Sequence, residues 1–160
     1  MKKIDDLDKN LIGLLIRDGR MPIARIAKSL RITSPTVRSR IENLVSSGFI
    51  KIAALVNSSR TKNLALAIVG IRVQNHEELD RKNAQIANLD LVNWSAIVAG
   101  RYDIIAELIL PNGMRDLYQF ISGDMSRLGG IQSSESFMVI EPKGKWILLP
   151  QAEKTPGNWA

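Results

Sequence analysis

Only Arg31 and Ile32 separate two stretches whose apolar residues recur at helical spacing. Ile23, Ile26, Ala27 and Leu30 lie before them, and Val37, Ile41, Leu44 and Val45 after. Pro22 suits the first turn of the earlier helix. Thr33 is a natural cap for the later one, where Pro35 falls in the first turn and Ser47-Gly48 ends it. Two helices joined this tightly match a helix-turn-helix, and Ala27 is small where they would pack closest. A helix precedes them. Asp5 or Asp6 caps it, Leu7, Leu11, Leu14 and Leu15 share one face, and Gly19 stops it. Phe49–Val56 (FIKIAALV) reads as a strand or short hairpin arm.

The outer side of the third helix is polar. Ser34, Thr36, Ser39, Arg40 and Asn43 lie mostly away from the apolar stripe, with Arg38 at its edge and Thr33 at the cap. Hydroxyls and Asn bond phosphates or base edges, and Arg binds a phosphate or forks onto guanine. These seven residues are the candidate DNA-binding set, although a capped structural helix in a basic domain accounts for the same pattern. Charge points the same way. Residues 1–63 carry 13 Lys/Arg against 5 Asp/Glu, or +8; the remainder carries 9 against 11, or −2, returning the chain's +6. A basic first third beside a slightly acidic remainder indicates two modules, the first attracted to polyanions.

The polar run Asn57–Asn63 (NSSRTKN) breaks the periodicity and is expected to be the linker, between a domain of residues 1–56 and another of residues 64–145. In the second module, strand-like Leu64–Val73 is followed by helical His76–Asp90. Strands Val92–Gly100 and Tyr102–Leu110 join at Gly100-Arg101, then come helix Met114–Leu128 and strand Ile131–Glu141. The order βαββαβ is the split βαβ, ferredoxin-like arrangement, making the whole chain α+β. Helices would cover one sheet face, and a second copy of the chain is the simplest cover for the other. Residues 146–160 are expected to be a C-terminal tail, loose after Pro150, with Trp146 and Trp159 available to pack on a neighbour.

At this point the residues carry a resemblance. Ile4-Asp5-x-Leu7-Asp8 with Leu11-Ile12, then Asp18-Gly19-Arg20, resembles the first helix of the Lrp/AsnC (leucine-responsive, feast/famine) transcription regulators. Ile26-Ala27, Ile32-Thr33-Ser34, Val37, Arg40-Ile41, Leu44 and Gly48-Phe49-Ile50 match that family's helix-turn-helix in order and spacing. Gly100-Arg101-Tyr102-Asp103 resembles its G-x-Y-D turn. Gly130-Ile131 with Ser134, Ser136, Val139 and Ile140 resembles the approach to its last strand. The resemblance implies a winged helix-turn-helix that binds double-stranded DNA, joined to an ACT-like module that senses an effector and oligomerises. It implies homodimers, often built into octamers, with an amino acid bound between dimers near Gly100, Arg101, Tyr102 and Asp103 and beside Ser134 and Ser136. The chemistry agrees: an Asp carboxylate accepts from an α-ammonium, and Ser hydroxyls or backbone N–H groups hold a carboxylate. A plain tight turn explains Gly100–Asp103 equally.

The sequence also departs from the family pattern. Arg31 stands where the family often has glycine; if that residue is left-handed, Arg costs about 1 kcal/mol. Gly129-Gly130 replaces the frequent Pro-Gly, and Ser replaces Thr at 134 and 136.

Other classes are less well served. There are no cysteines, hence no disulfides, thiolate metal sites or cysteine nucleophiles, which suits a reducing cytoplasm. No metal or cofactor is expected, because Walker loop, G-x-G-x-x-G and metal-spaced His sets are all missing. His76, the only histidine, follows Asn75 at a helix start and reads as a cap or surface residue. No apolar run is long enough for a membrane span. Two alternatives remain: a two-module enzyme like some haem-biosynthesis decarboxylases, and a sensor whose helix-turn-helix no longer binds DNA.

Overall fold

A computed structural model describes residues 4–61 and 64–148 of the chain. It divides into two compact units after Ala53.

The first unit is three helices: α1 (Asp6–Arg17), α2 (Ile23–Leu30) and α3 (Ser34–Ser46). Asp5 caps α1 in a capping box with Asp8; the Asp8 N–H donates to Asp5 Oδ1 at 2.7 Å. α2 ends in a Schellman turn. Arg31 is left-handed (φ 55°, ψ 43°), its N–H reaches Lys28 O, and the Ile32 N–H reaches Ala27 O at 3.0 Å. The turn thus redirects the chain within two residues and delivers Thr33 to cap α3. Leu11, Ile26, Ala27, Val37 and Leu44 form the buried centre, ringed by Leu14, Leu15, Ile23, Leu30 and Ile41 among others. Val45, expected inside, is exposed, because the inward stripe of α3 runs Val37–Ile41–Leu44 and passes it by. The helix closes on Gly48 (φ 70°), with the Phe49 N–H on Leu44 O.

The expected strand over Phe49–Val56 is corrected: residues 50–55 form no regular element, and the regular elements of the first unit among the described residues are all helices. Strand β1 is only Val56–Asn57, and it pairs antiparallel with β6 (Trp146–Ile147). The start of the expected linker is likewise tied down. Ser58 donates to Lys145 O through both N and Oγ, and Ser59 Oγ donates to Pro142 O at 2.7 Å. These hydroxyls read as linker residues because nothing local reveals carbonyls more than eighty positions away. Residues 62 and 63 lie outside the described residues. Trp146, expected in the tail, is a strand residue; Trp159 also lies outside them.

In the second unit β2 (Ala65–Val73), β3 (Val92–Ile97), β4 (Ile104–Leu110) and β5 (Ile131–Val139) form an antiparallel sheet ordered β3-β4-β2-β5. A 3₁₀ turn, His76–Glu78, leads into α4 (Leu79–Ala87). Helix α5 starts as Met114–Gln119, becomes π-helical over Phe120–Met125 and closes with Ser126–Leu128. This is the expected βαββαβ order.

Alternation sets the two faces. Val69, Ile71, Ile104, Ala106 and Leu108 point to the helices and join Ile86, Leu117 and Phe120 in the main core. On the other face Leu66 and Ile109 pack under Ile147 of the β1–β6 pair. Trp94 and Phe137 remain exposed on that face.

Candidate functional site

Two regions carry the residues singled out by the sequence. In the first unit, the Thr33 hydroxyl accepts from the Thr36 N–H and lies 2.7 Å from Thr36 Oγ1, so the two hydroxyls open α3 together. Thr36, Arg38, Ser39 and Asn43 are exposed along the helix, and Ser34 is half-buried. The surface is polar, with side chains that suit phosphates and base edges.

Arg40 differs from its expected outward placement. Its Nη1 donates to Asp5 Oδ2 at 2.8 Å and to Asp8 Oδ1 at 2.7 Å, tying α3 to the start of α1. The Arg40 side chain keeps 28% of its exposure and Asp8 only 12%. The Asp8 backbone N–H, followed by the Arg40 guanidinium, holds the Asp5 carboxyl below its ordinary range. Asp8 and then Asp5 raise Arg40. Beside this cluster Thr36, Ser39 and Asn43 line a groove of about 620 Å³, with Pro35 and Phe49 among its apolar walls.

In the second unit, Gly100 (φ 143°), Arg101 and Tyr102 form the turn between β3 and β4. The Tyr102 ring lies against Gly70 on the sheet face away from the helices; a Cβ at Gly70 would fall 2.6 Å from ring carbons. The ring meets Phe137 edge-on, with centroids 6.5 Å apart. Its hydroxyl donates to the Glu135 carboxylate, which pushes the phenol above its usual range. Arg101 pairs with Glu135 at 3.1 Å and lies 5.4 Å from the centroid of the Tyr102 ring. Asp103 faces elsewhere: Oδ2 accepts from the Val73 N–H at 2.9 Å, and Oδ1 lies 3.2 Å from His76 Nε2.

The expected effector set is therefore divided. Ser134 and Ser136 pair with Ile71 and Val69, which puts both on the helix-facing side, opposite Tyr102. Ser136 Oγ is buried there without a hydrogen-bond partner among the described residues. Glu135 was missed by sequence reasoning. Strand alternation was the available signal, since it sets 135 and 137 on the face opposite 134 and 136.

Glu107 was missed too. It is 3% exposed and accepts from Asn93 Nδ2 (2.7 Å) and Trp94 Nε1 (2.9 Å), with Lys145 Nζ at 2.7 Å. A register shift between Val92 and Trp94 allows adjacent residues to reach the same carboxylate. A lone charge in the apolar strand Ile104–Leu110 was its sequence signal. Among the described residues no His/Cys/Asp/Glu group is placed to hold a metal, and no helix is long and apolar enough to cross a membrane.

Comparison with known proteins decides the family. Residues 4–45 match the AsnC-type helix-turn-helix domain, and residues 66–144 match the Lrp/AsnC ligand binding domain. An uncharacterized HTH-type transcriptional regulator of Pyrococcus abyssi is 33% identical over 141 residues, which cover 86% of this chain and 92% of that protein. The chain belongs to the Lrp/AsnC family. The regulatory protein AsnC of Haemophilus influenzae is 22% identical over 88% of this chain and 94% of its own length. Among solved structures, PH0061 superposes with a TM-score of 0.74 at 26% identity, covering 92% of this chain and all of that one. E. coli AsnC has the same fold, with a TM-score of 0.66 over 88% of this chain and 95% of its own. The chain is thus an Lrp/AsnC-type transcriptional regulator, with a helix-turn-helix unit for DNA and a ligand-binding unit for a small molecule.

Proposed function

We propose that this regulator reads DNA through Thr33, Ser34, Thr36, Arg38, Ser39 and Asn43. The observation that carries the reading is the exposed polar run at the start and along the outer face of α3, delivered by the tight turn at Arg31. The N-terminal part of such a helix enters the major groove, and a two-fold dimer would present paired helices ~34 Å apart or at multiples of that spacing. Arg38→Ala and Asn43→Ala test this in a binding assay at fixed salt. Each should weaken specific binding more than non-specific binding; unchanged specificity in both would remove α3 from the interface.

The dimer forms on the sheet face opposite the helices, where exposed Trp94 and Phe137 offer apolar surface outside the part covered by Ile147. Dimers assemble further, up to an octamer, and an amino acid binds between them near the Gly100–Asp103 turn. One solved regulator of the same fold, NMB0573 of Neisseria meningitidis, is a complex with L-Met. Effector binding acts by favouring one assembly over another, which requires different affinities in the two states. The chain acts as a regulator and not as an enzyme; none of the relatives above supports the haem-linked enzyme reading. Asp103→Ala should weaken amino-acid binding and leave the dimer intact in sedimentation. Unchanged ligand affinity would put the pocket elsewhere.

A further inference from the structure

Resting on the reading that α3 meets DNA, we propose that Asp5 and Asp8 mask Arg40 from the phosphate backbone and so set the affinity of this chain for DNA. The two carboxylates share one guanidinium through Nη1, at 2.8 and 2.7 Å, so the cluster carries a net −1. It forms the charged wall of the groove lined by Thr36, Ser39 and Asn43, side chains of the reading surface. Arg40 is therefore at the edge of the interface and still partly exposed, but its charge is more than cancelled locally. A phosphate reaching the free side of the guanidinium would also meet the two carboxylates behind it. Coulomb energy falls only as the inverse of distance, so the repulsion from two carboxylates works against the attraction to one guanidinium. An Arg in that setting neutralises no phosphate and releases no counterion.

The carboxylates are thus affinity-determining residues that act through Arg40, and the arrangement can be undone without breaking α1. Asn ranks with Asp as an N-cap, so Asp5→Asn keeps the start of the helix.

The experiment is a salt series of binding to a duplex from the region upstream of the gene, using the full chain. Asp5→Asn, Asp5→Asn/Asp8→Asn and Arg40→Gln are compared with wild type, and the carboxylate variants are repeated in the Arg40→Gln background. Masking predicts that Asp5→Asn/Asp8→Asn binds about three- to tenfold tighter near 0.1 M salt. Its log–log salt slope should steepen by roughly one unit, the signature of one more neutralised phosphate. Asp5→Asn alone should move part of the way, and remains the test if the double variant does not fold by circular dichroism. Arg40→Gln alone should leave the slope unchanged, and in its background the gain in slope should disappear.

A carboxylate variant with wild-type slope overturns the proposal. So does a gain that persists without Arg40, since the carboxylates would then act by their own charge. A slope lowered by Arg40→Gln in the wild-type background overturns it as well, because Arg40 would already be on a phosphate. Duplex binding by the wild type alongside any of these results leaves the DNA reading standing. No duplex binding by any variant ends that reading and the masking proposal together.

Discussion

Replacing Gly70 by Ala tests whether the Tyr102 ring rests on the sheet as the structure has it. A Cβ at Gly70 would lie 2.6 Å from Tyr102 Cγ and Cδ2 and 2.7 Å from Cε2, distances at which something must shift. The ring is held by Glu135 and Phe137, so moving it costs those contacts as well. Overpacking of this kind costs about 1–3 kcal/mol. Ala in a strand is otherwise better than Gly by roughly 0.5–1 kcal/mol, because Gly loses more backbone freedom on folding. The net expectation for Gly70→Ala is a loss centred on ~1 kcal/mol and reaching at most ~2.5 kcal/mol. With Tyr102→Ala already in place the ring is gone, and the same substitution should stabilise by roughly 0.5–1 kcal/mol. The coupling between the two positions is then about 2 kcal/mol. Urea denaturation followed by far-UV circular dichroism, at one fixed protein concentration because oligomerisation adds to stability, measures all four corners. Zero coupling, with Gly70→Ala costing the same whether or not Tyr102 is present, would refute the placement of the ring.

Other perturbations have equally definite outcomes. Arg31→Gly relieves a left-handed residue worth about 1–2 kcal/mol and gives back about 0.4–1 kcal/mol in unfolded-chain entropy, so the helical unit should gain up to about 1.6 kcal/mol in a thermal melt. A loss there would contradict the turn geometry. Lys145→Met removes the cation from the buried Glu107 carboxylate. Because Lys145 is about one-third exposed, the cost should be about 1–3 kcal/mol rather than the full value for a buried pair, and Glu107→Gln in the same chain should recover part of it. Asp5 has a folded pKa below its unfolded one, so its contribution is complete above the ordinary value of 3.8 and is lost as pH falls through the folded pKa. The stability difference between wild type and Asp5→Asn should shrink steadily below about pH 4; a constant difference down to pH 2 would count against the Asp5–Arg40 contact. Tyr102 has the opposite sign. Its pKa is raised, so what it adds is present below about pH 10 and lost as the phenol ionises above that. Tyr102→Phe should remove that alkaline loss.

The helices and the sheet were legible because their signals are local. A two-residue gap flanked by helical periodicity gave the turn at Arg31, and the order of strands and helices gave the ferredoxin-like unit. Misreadings occurred where a distant partner decides. FIKIAALV has strand character, yet only Val56 finds a strand to pair with, and that strand is Trp146–Ile147. Arg40 lies off the apolar stripe of α3 and so reads as outward, but Asp5 and Asp8 of α1 capture it. The family motif groups Ser134 and Ser136 with Tyr102. The register of β5 against β2 sends them to the other face, and a shift of one position would reverse that. Glu107 shows the same limit from the other side: its charge was visible, but Lys145, Asn93 and Trp94 become its partners only once the sheet is folded.

The most direct test of the central claim is binding of the full chain to the region upstream of its gene, across a salt series, with and without a mixture of the twenty amino acids. Specific binding that weakens as salt rises and shifts when amino acids are added is the expected result. Binding of equal strength to that duplex and to an unrelated one, unmoved by any amino acid, would contradict it.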